Sequence, residues 1–331
     1  MPSVVSFLED QSSAITSWRP SGHTKALTLV GVGTSLHLMS EELEIIQSVE
    51  LPISSRINRV VGLSDHSSVF YSGTDGSIGF ISSSSGKLGK SNPSSSPAAE
   101  VNEIGVDSDI HRTGHLASVL FNSNSGGSCA LIDTQRDSVI GRIPLGHTGT
   151  PNSMRIVDTS MMCIASSIVS LYDVRTSQAK AGAATKVFKC AGANGRVFTA
   201  LESDGGHSVI SGDSAGGLWL WDSRKEDSPV KSVHAHAGAV LCLSLGGGVV
   251  GSSSTDGSIS LWTVLSPENQ PKKRTRKLLL DDSAGPLKRC AIEGAGVATA
   301  LCVEDATDAE RHVSYVTDAG VAVLTQVTDW H

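Results

Sequence analysis

Charge is what this 331-residue chain has least of. Asp, Glu, Lys and Arg make up 18% of it, against about 25% in an ordinary soluble domain. Aromatic residues stand at only 4%. Long runs rich in Ala, Leu, Glu and Lys are missing, which argues against a helical bundle. A membrane-spanning helix needs about 20 apolar residues. The longest weakly polar stretch, residues 237–251, is shorter and is broken by Gly238, Gly246, Gly247 and Gly248. The first residues, MPSVVSFLEDQSS, have neither the basic start nor the apolar core of a secretory leader. A soluble, intracellular protein without membrane insertion is the expectation. The cysteines (Cys129, Cys163, Cys190, Cys242, Cys290, Cys302) form no C-x-x-C pair, and no N-x-S/T sequon occurs. Those thiols read as buried and reduced. Basic charge is also in deficit, 26 Lys and Arg against 33 Asp and Glu, which argues against a dedicated nucleic-acid binder.

What the chain has is small residues, 34 Gly and 52 Ser, over a 39% hydrophobic content that can bury a core. The small residues fall into a repeat. Val249–Trp262 (VVGSSSTDGSISLW) and Val209–Asp222 (VISGDSAGGLWLWD) align, and Val69–Ile81 (VFYSGTDGSIGFI) is a third copy. Each is a short apolar strand, a small-residue turn and an alternating strand, whose period of two puts Ile259 and Leu261 on one face. Weaker copies end at Met39, Ile132, Tyr172 and Thr325, giving spacings of 42, 51, 40, 49, 41 and 63 residues. The three shortest fit one four-stranded propeller blade each. The longer ones call for insertions, expected as flexible surface loops at 82–97 and 266–277.

On these residues the chain resembles the WD40-repeat family. His236, Ser252, Asp256 and Trp262 fall where that family places a hydrogen-bonded blade set, although Ala235 stands in place of the family's Gly. The resemblance implies that the four side chains are linked inside the sixth blade, a hydroxyl supplying the acceptor that a buried indole N–H needs. Trp221-Asp222 supplies the Trp-Asp pair of the fifth repeat. The expected fold is all-β, a seven-bladed propeller with blades near 12–50, 51–100, 101–146, 147–190, 191–233, 234–284 and 285–331. The N-terminal strand 4–8 is expected to close the ring as the outer strand of the last blade, which protects sheet edges.

Motifs with chemical overtones are absorbed by the repeat. Gly212-Asp213-Ser214-Ala215-Gly216 matches the G-x-S-x-G elbow and resembles the surround of a serine-protease nucleophile, but a strand rather than a helix follows it. His234 and His236 supply two imidazoles, where a metal site needs three or four ligands. Gly31-Val32-Gly33 lacks the third glycine of a dinucleotide site. No catalytic residue, cofactor, metal or small-molecule substrate is expected.

Two features point outward. Residues 271–277 (PKKRTRK) contain Lys272, Lys273, Arg274, Arg276 and Lys277, which read as a nuclear-import signal, an anion-binding patch or a solvated insertion between the third and fourth strands of the sixth blade. Tyr172-Asp173-Val174-Arg175 and Trp221-Asp222-Ser223-Arg224 end consecutive repeats alike, and the second resembles the WD-x-R box of cullin-type ubiquitin-ligase substrate receptors. Trp18-Arg19-Pro20, the consecutive Asp-x-Arg ends, Ser228-Pro229-Val230 and Thr317-Asp318-Ala319 resemble the small propeller nucleoporins of the Y-shaped nuclear pore subcomplex, the nucleoporin forty-three type. That likeness implies a structural pore subunit contacting helical nucleoporins, in the nucleus or at its envelope. A ligase receptor, or a scaffold of another intracellular assembly, is the alternative. Each reading is a non-enzymatic protein–protein interaction scaffold, a rigid propeller presenting its loops.

Overall fold

The computed structural model describes residues 3–7, 12–20, 26–40, 42–63, 68–84, 86–93, 103–111, 113–124, 126–145, 149–158, 160–175, 184–188, 195–225, 228–246, 248–263, 286, 288–292, 296–304, 311–319 and 321–327. Every regular element among them is a strand. After β1 (Ser3–Phe7), the strands fall into antiparallel groups in chain order. The first sheet is β2 (Ser12–Trp18), β3 (Leu27–Val32), β4 (Ser35–Met39) and β5 (Ile45–Glu50). The second is β6 (Ile57–Gly62), β7 (Ser68–Gly73), β8 (Ile78–Ser84) and β9 (Lys87–Pro93). The third is β10 (Ile104–Ile110), β11 (Leu116–Ser123), β12 (Gly126–Asp133) and β13 (Ser138–Pro144). The fourth is β14 (Ser153–Ile156), β15 (Met161–Ala165), β16 (Val169–Asp173) and β17 (Lys186–Phe188). The fifth is β18 (Phe198–Ser203), β19 (Ser208–Asp213), β20 (Gly217–Asp222) and β21 (Lys231–His234). The sixth is β22 (Val240–Gly246), β23 (Val249–Ser254), β24 (Ser258–Thr263) and β25 (Lys288–Ala291). The last is β26 (Ala298–Val303), β27 (Arg311–Thr317) and β28 (Val321–Val327), with β1 as its fourth strand. There β1 runs antiparallel to β28, Ser3 opposite Thr325 and Phe7 opposite Val321.

The fold is a β-propeller. Its inner strands pack in sequence, β2 on β6, β6 on β10 and onward to β26, which returns to β2. An apolar cluster fills each gap between consecutive sheets, including the gap between the last and the first, where Val316 meets Val30 and Met39. The repeat explains this. In β24, Ile259 and Leu261 pack toward the seventh sheet with Ala298 and Leu301. Trp262, on the opposite face, packs toward the fifth with Ile210 and Leu220. A third strand is therefore buried on both faces, so alternation in it reports which neighbour is touched rather than core against solvent.

Six of the inner strands carry a bulge at the same place, at Ser12/Ala14, Ile57/Arg59, Gly105/Asp107, Phe198/Ala200, Val240/Cys242 and Ala298/Ala300. The extra residue bends each strand where it enters the ring. The turns between second and third strands use left-handed glycines, among them Gly76, Gly216 and Gly257, at φ of 79°, 83° and 76°. Glycine adopts that conformation without steric cost.

Three boundaries differ from expectation. The 82–97 segment is not a loop from its start: β8 runs to Ser84 and β9 occupies Lys87–Pro93. An outermost strand needs little apolar content. Leu88 is buried here, and Gln47 holds it through both its N–H (2.9 Å) and its carbonyl (2.8 Å). The sixth sheet takes its outer strand from Lys288–Ala291, beyond the expected limit at 284. His234 closes β21 and so belongs to the fifth sheet rather than the sixth. The basic residues Lys272, Lys273, Arg274, Arg276 and Lys277 lie outside the described residues, in the 264–287 connection between β24 and β25. Among the described residues no helix is long and apolar enough to cross a membrane.

Candidate functional site

In the sixth sheet the predicted blade set forms in part. The His236 ring is buried, with Nε2 2.8 Å from Ser252 Oγ and Nδ1 2.9 Å from Ser258 Oγ. Ser258 Oγ donates to Asp256 Oδ1 at 2.6 Å, and Asp256 Oδ2 lies 3.6 Å from His236 Nδ1 while accepting the Ala237 N–H at 2.8 Å. Burial holds the His236 imidazole below its usual pKa against the pull of Asp256, with Arg289 acting in the same sense as burial. Trp262 does not join. Among the described residues its Nε1 is buried without a hydrogen-bond partner, the indole lying among the apolar side chains that face the fifth sheet. Ser258, which the family comparison did not mark, takes the connecting role. The repeated Thr-Asp-Gly-Ser of 74–77 and 255–258 was the available signal. Asp75 does the same work in the second sheet, accepting from Ser54 and from Ser77.

The fifth sheet solves the same problem with other residues. Trp221 Nε1 donates to Ser211 Oγ at 2.8 Å. Trp219 Nε1 donates to Asp213 Oδ2 at 2.7 Å, and Arg196 pairs with that carboxylate at 2.9 Å. Ser214 sits in the turn between β19 and β20, where its Oγ accepts the Val197 N–H at 3.1 Å. His236, the buried imidazole of the next sheet, contacts serines 252 and 258 instead. His234 is exposed, and no group of three His, Cys, Asp or Glu side chains converges among the described residues. The described cysteines Cys129, Cys163, Cys242 and Cys302 are free. Burial pushes the Cys129 and Cys302 thiols up to about 12 and Cys242 to about 11, away from thiolate chemistry.

The inner strands line a central channel of about 730 Å3. Residue-type patterns gave no warning of the ionic network along its wall. Arg155, on β14, pairs with Asp107 on β10 at 2.9 Å and with Glu202 on β18 at 3.4 Å, tying three consecutive sheets. Arg59, on β6, lies 3.6 Å from Asp109, whose other oxygen accepts the Ile156 N–H at 2.8 Å. Asp107 also accepts from Ser153 Oγ and the Met154 N–H. Burial would raise the Asp107 carboxyl, but Arg155 and Arg59 hold it below the usual range. For Asp109 burial wins over the same two guanidinium groups, and its pKa is raised.

The two Asp-x-Arg elements take one geometry. Asp173 Oδ1 accepts from the Arg175 backbone N–H (2.9 Å) and Nε (3.0 Å), and Oδ2 from Nη2 (2.8 Å). Asp222 receives Arg224 in the same three bonds, at 3.0, 3.1 and 3.1 Å. Tyr172 and Trp221 are buried behind them, while the arginine side chains are 70% and 40% exposed. Both clasps follow the third strands of consecutive sheets, so they stand side by side on one face of the ring. Lys186 of the fourth sheet reaches the Ser223 carbonyl in the second clasp at 3.5 Å. No protein-family model matches the chain, and no curated protein matches it significantly.

Proposed function

We propose that the protein is a non-enzymatic protein–protein interaction scaffold of the WD40 type. The observation that carries this reading is the pair of Asp-x-Arg clasps. Each holds its guanidinium in a fixed, bidentate geometry on a rigid blade, while much of the arginine stays open to a partner. Arginine in such a position is a frequent anchor of protein interfaces. The polar groups that resembled catalytic machinery are engaged in holding turns and blades: Ser214 with Val197, His236 with serines 252 and 258.

Within that reading we propose a structural subunit of the nuclear pore Y-complex that contacts helical nucleoporins. This finer assignment rests on the sequence resemblance alone, and the nuclear location goes with it. The clasps favour a second reading, a substrate receptor docking on a cullin-ligase adaptor through the exposed Arg224, which Asp222 positions over the buried Trp221. Affinity purification of the full chain from cells, followed by mass spectrometry, separates them. Recovery of Y-complex members supports the pore subunit, and their absence from a reproducible purification overturns it. A cullin adaptor that is lost on Arg224→Ala selects the ligase receptor. Covalent labelling of Ser214 by a fluorophosphonate would overturn the non-enzymatic reading altogether.

A further inference from the structure

We propose that Ser228 is a phosphoacceptor for a proline-directed protein kinase. Four hydroxyl residues of the chain precede a proline: Ser96, Thr150, Ser228 and Ser266. Only Ser228 also has a cation three residues on, in Ser228-Pro229-Val230-Lys231. Kinases of this class read those two neighbours, a residue without an N–H directly after the acceptor and a positive charge beyond it. Ser96 and Ser266 lie outside the described residues, and Pro151 after Thr150 is buried.

The fold presents Ser228 in the form such an enzyme needs. It is exposed, in the connection between β20 and β21. The ladder starts just after it: the Val230 N–H donates to the Leu220 carbonyl at 2.7 Å, and Lys231 stands opposite Leu220. Pro229 has no N–H to give that ladder. A residue before proline is disfavoured in the helical region, and Ser228 sits at an exposed bend just outside the sheet. Among the described strands, β21 pairs with β20 alone and forms the outer edge of its sheet. An enzyme cleft can therefore approach from the rim without separating two blades.

The step is a phosphoryl transfer from a nucleoside triphosphate. Ser228 Oγ attacks the γ-phosphorus, the new O–P bond forms as the bond to the departing diphosphate breaks, and the hydroxyl proton passes to the kinase's catalytic carboxylate. The product brings up to about two negative charges into a segment that reads Arg224-Lys225-Glu226-Asp227 before Ser228 and carries Lys231 after it. Arg224 is the exposed half of the second clasp. A phosphate four residues along the chain competes with Asp222 for that guanidinium, so the modification acts on the surface to which docking is assigned above.

The test is incubation of the folded full-length chain with a cyclin-dependent kinase and ATP, with the modified residue mapped by mass spectrometry. Phosphate on Ser228 is expected. It should be abolished in Ser228→Ala, largely lost in Pro229→Ala and slowed in Lys231→Ala, with circular dichroism showing each variant folded. The proposal is overturned if Ser228 stays unmodified while Ser96 or Ser266 is phosphorylated. It is equally overturned if Pro229→Ala reacts at the wild-type rate, or if Ser228 reacts only after the chain is unfolded.

Discussion

Replacing Arg155 by Met tests the ionic tie that joins three consecutive sheets along the channel wall. The substitution keeps much of the side-chain length and removes the charge that Asp107 and Glu202 share. The Arg155 side chain is only 9% exposed. Stripping one partner from a buried pair costs about 3–5 kcal/mol, because the remaining charge stays buried without compensation. Two features place this case at the lower end, about 3 kcal/mol. Glu202, at 18% exposure, can regain water from the channel, and Asp107 keeps the Ser153 and Met154 donors. That is a large part of the ~5–15 kcal/mol by which a domain is stable. The assay is urea unfolding at pH 7 followed by tryptophan fluorescence, with Arg175→Ala as an exposed control expected within about 0.5 kcal/mol of wild type. Acidification sharpens it. Arg155 helps hold the Asp107 pKa down in the fold, so that stabilisation is complete above the unfolded value near ~3.9. It is lost as pH falls through the lower folded value, and the gap between variant and wild type narrows there. Asp109 works in the opposite sense: its raised pKa favours the fold below the unfolded value and that contribution is lost as pH rises. An Arg155→Met protein that unfolds no earlier than Arg175→Ala at neutral pH refutes the tie.

Trp221→Phe leaves Ser211 without its donor, whereas Trp262→Phe deletes an N–H that is already unpartnered. The first should therefore cost about 1–2 kcal/mol more than the second in thermal unfolding, and equal losses would contradict the hydrogen-bond assignment. Gly216→Ala drives a Cβ into the His236 carbonyl at a φ of +83°. It should destabilise by more than about 2 kcal/mol or prevent soluble expression; a wild-type melting temperature would show the turn to be misplaced. Asp75 and Asp256 are held at about 2, burial being outweighed by Ser54 and Ser77 for the first and by Ser258 and Ala237 for the second. Their stabilisation persists above the ordinary carboxylate range and disappears as pH falls through about 2. After discounting for solvent screening, Asp256→Asn should cost about 1 kcal/mol at pH 7 and little below pH 2, as acid-unfolding curves would reveal.

Much of the architecture was legible because a blade repeats its own chemistry. All seven expected repeat ends, from Met39 to Thr325, fall within the third strands of successive sheets. The turn Asp and Gly residues mark where those strands begin. Outer strands were harder to see. Among the described strands none pairs along their outer edge, so β9 could be built from KLGKSNP, a composition that reads as a loop. The blade set was half legible. His236, Ser252 and Asp256 follow the template, but whether an indole N–H meets a hydroxyl depends on the rotation of the ring, which the sequence does not encode. The channel network was not legible at all. Arg59, Asp107, Arg155 and Glu202 lie on different strands and acquire their partners only when the ring brings those strands together.

The scaffold reading is tested most directly by the size at which the chain travels in native cell extract. Gel filtration of wild type and of the Arg175→Ala/Arg224→Ala double variant, with circular dichroism confirming that both are folded, measures it. Wild type is expected in a large multiprotein fraction, with the folded double variant shifted toward the size of the free chain. Wild type eluting alone, at the same position as the variant, would contradict it.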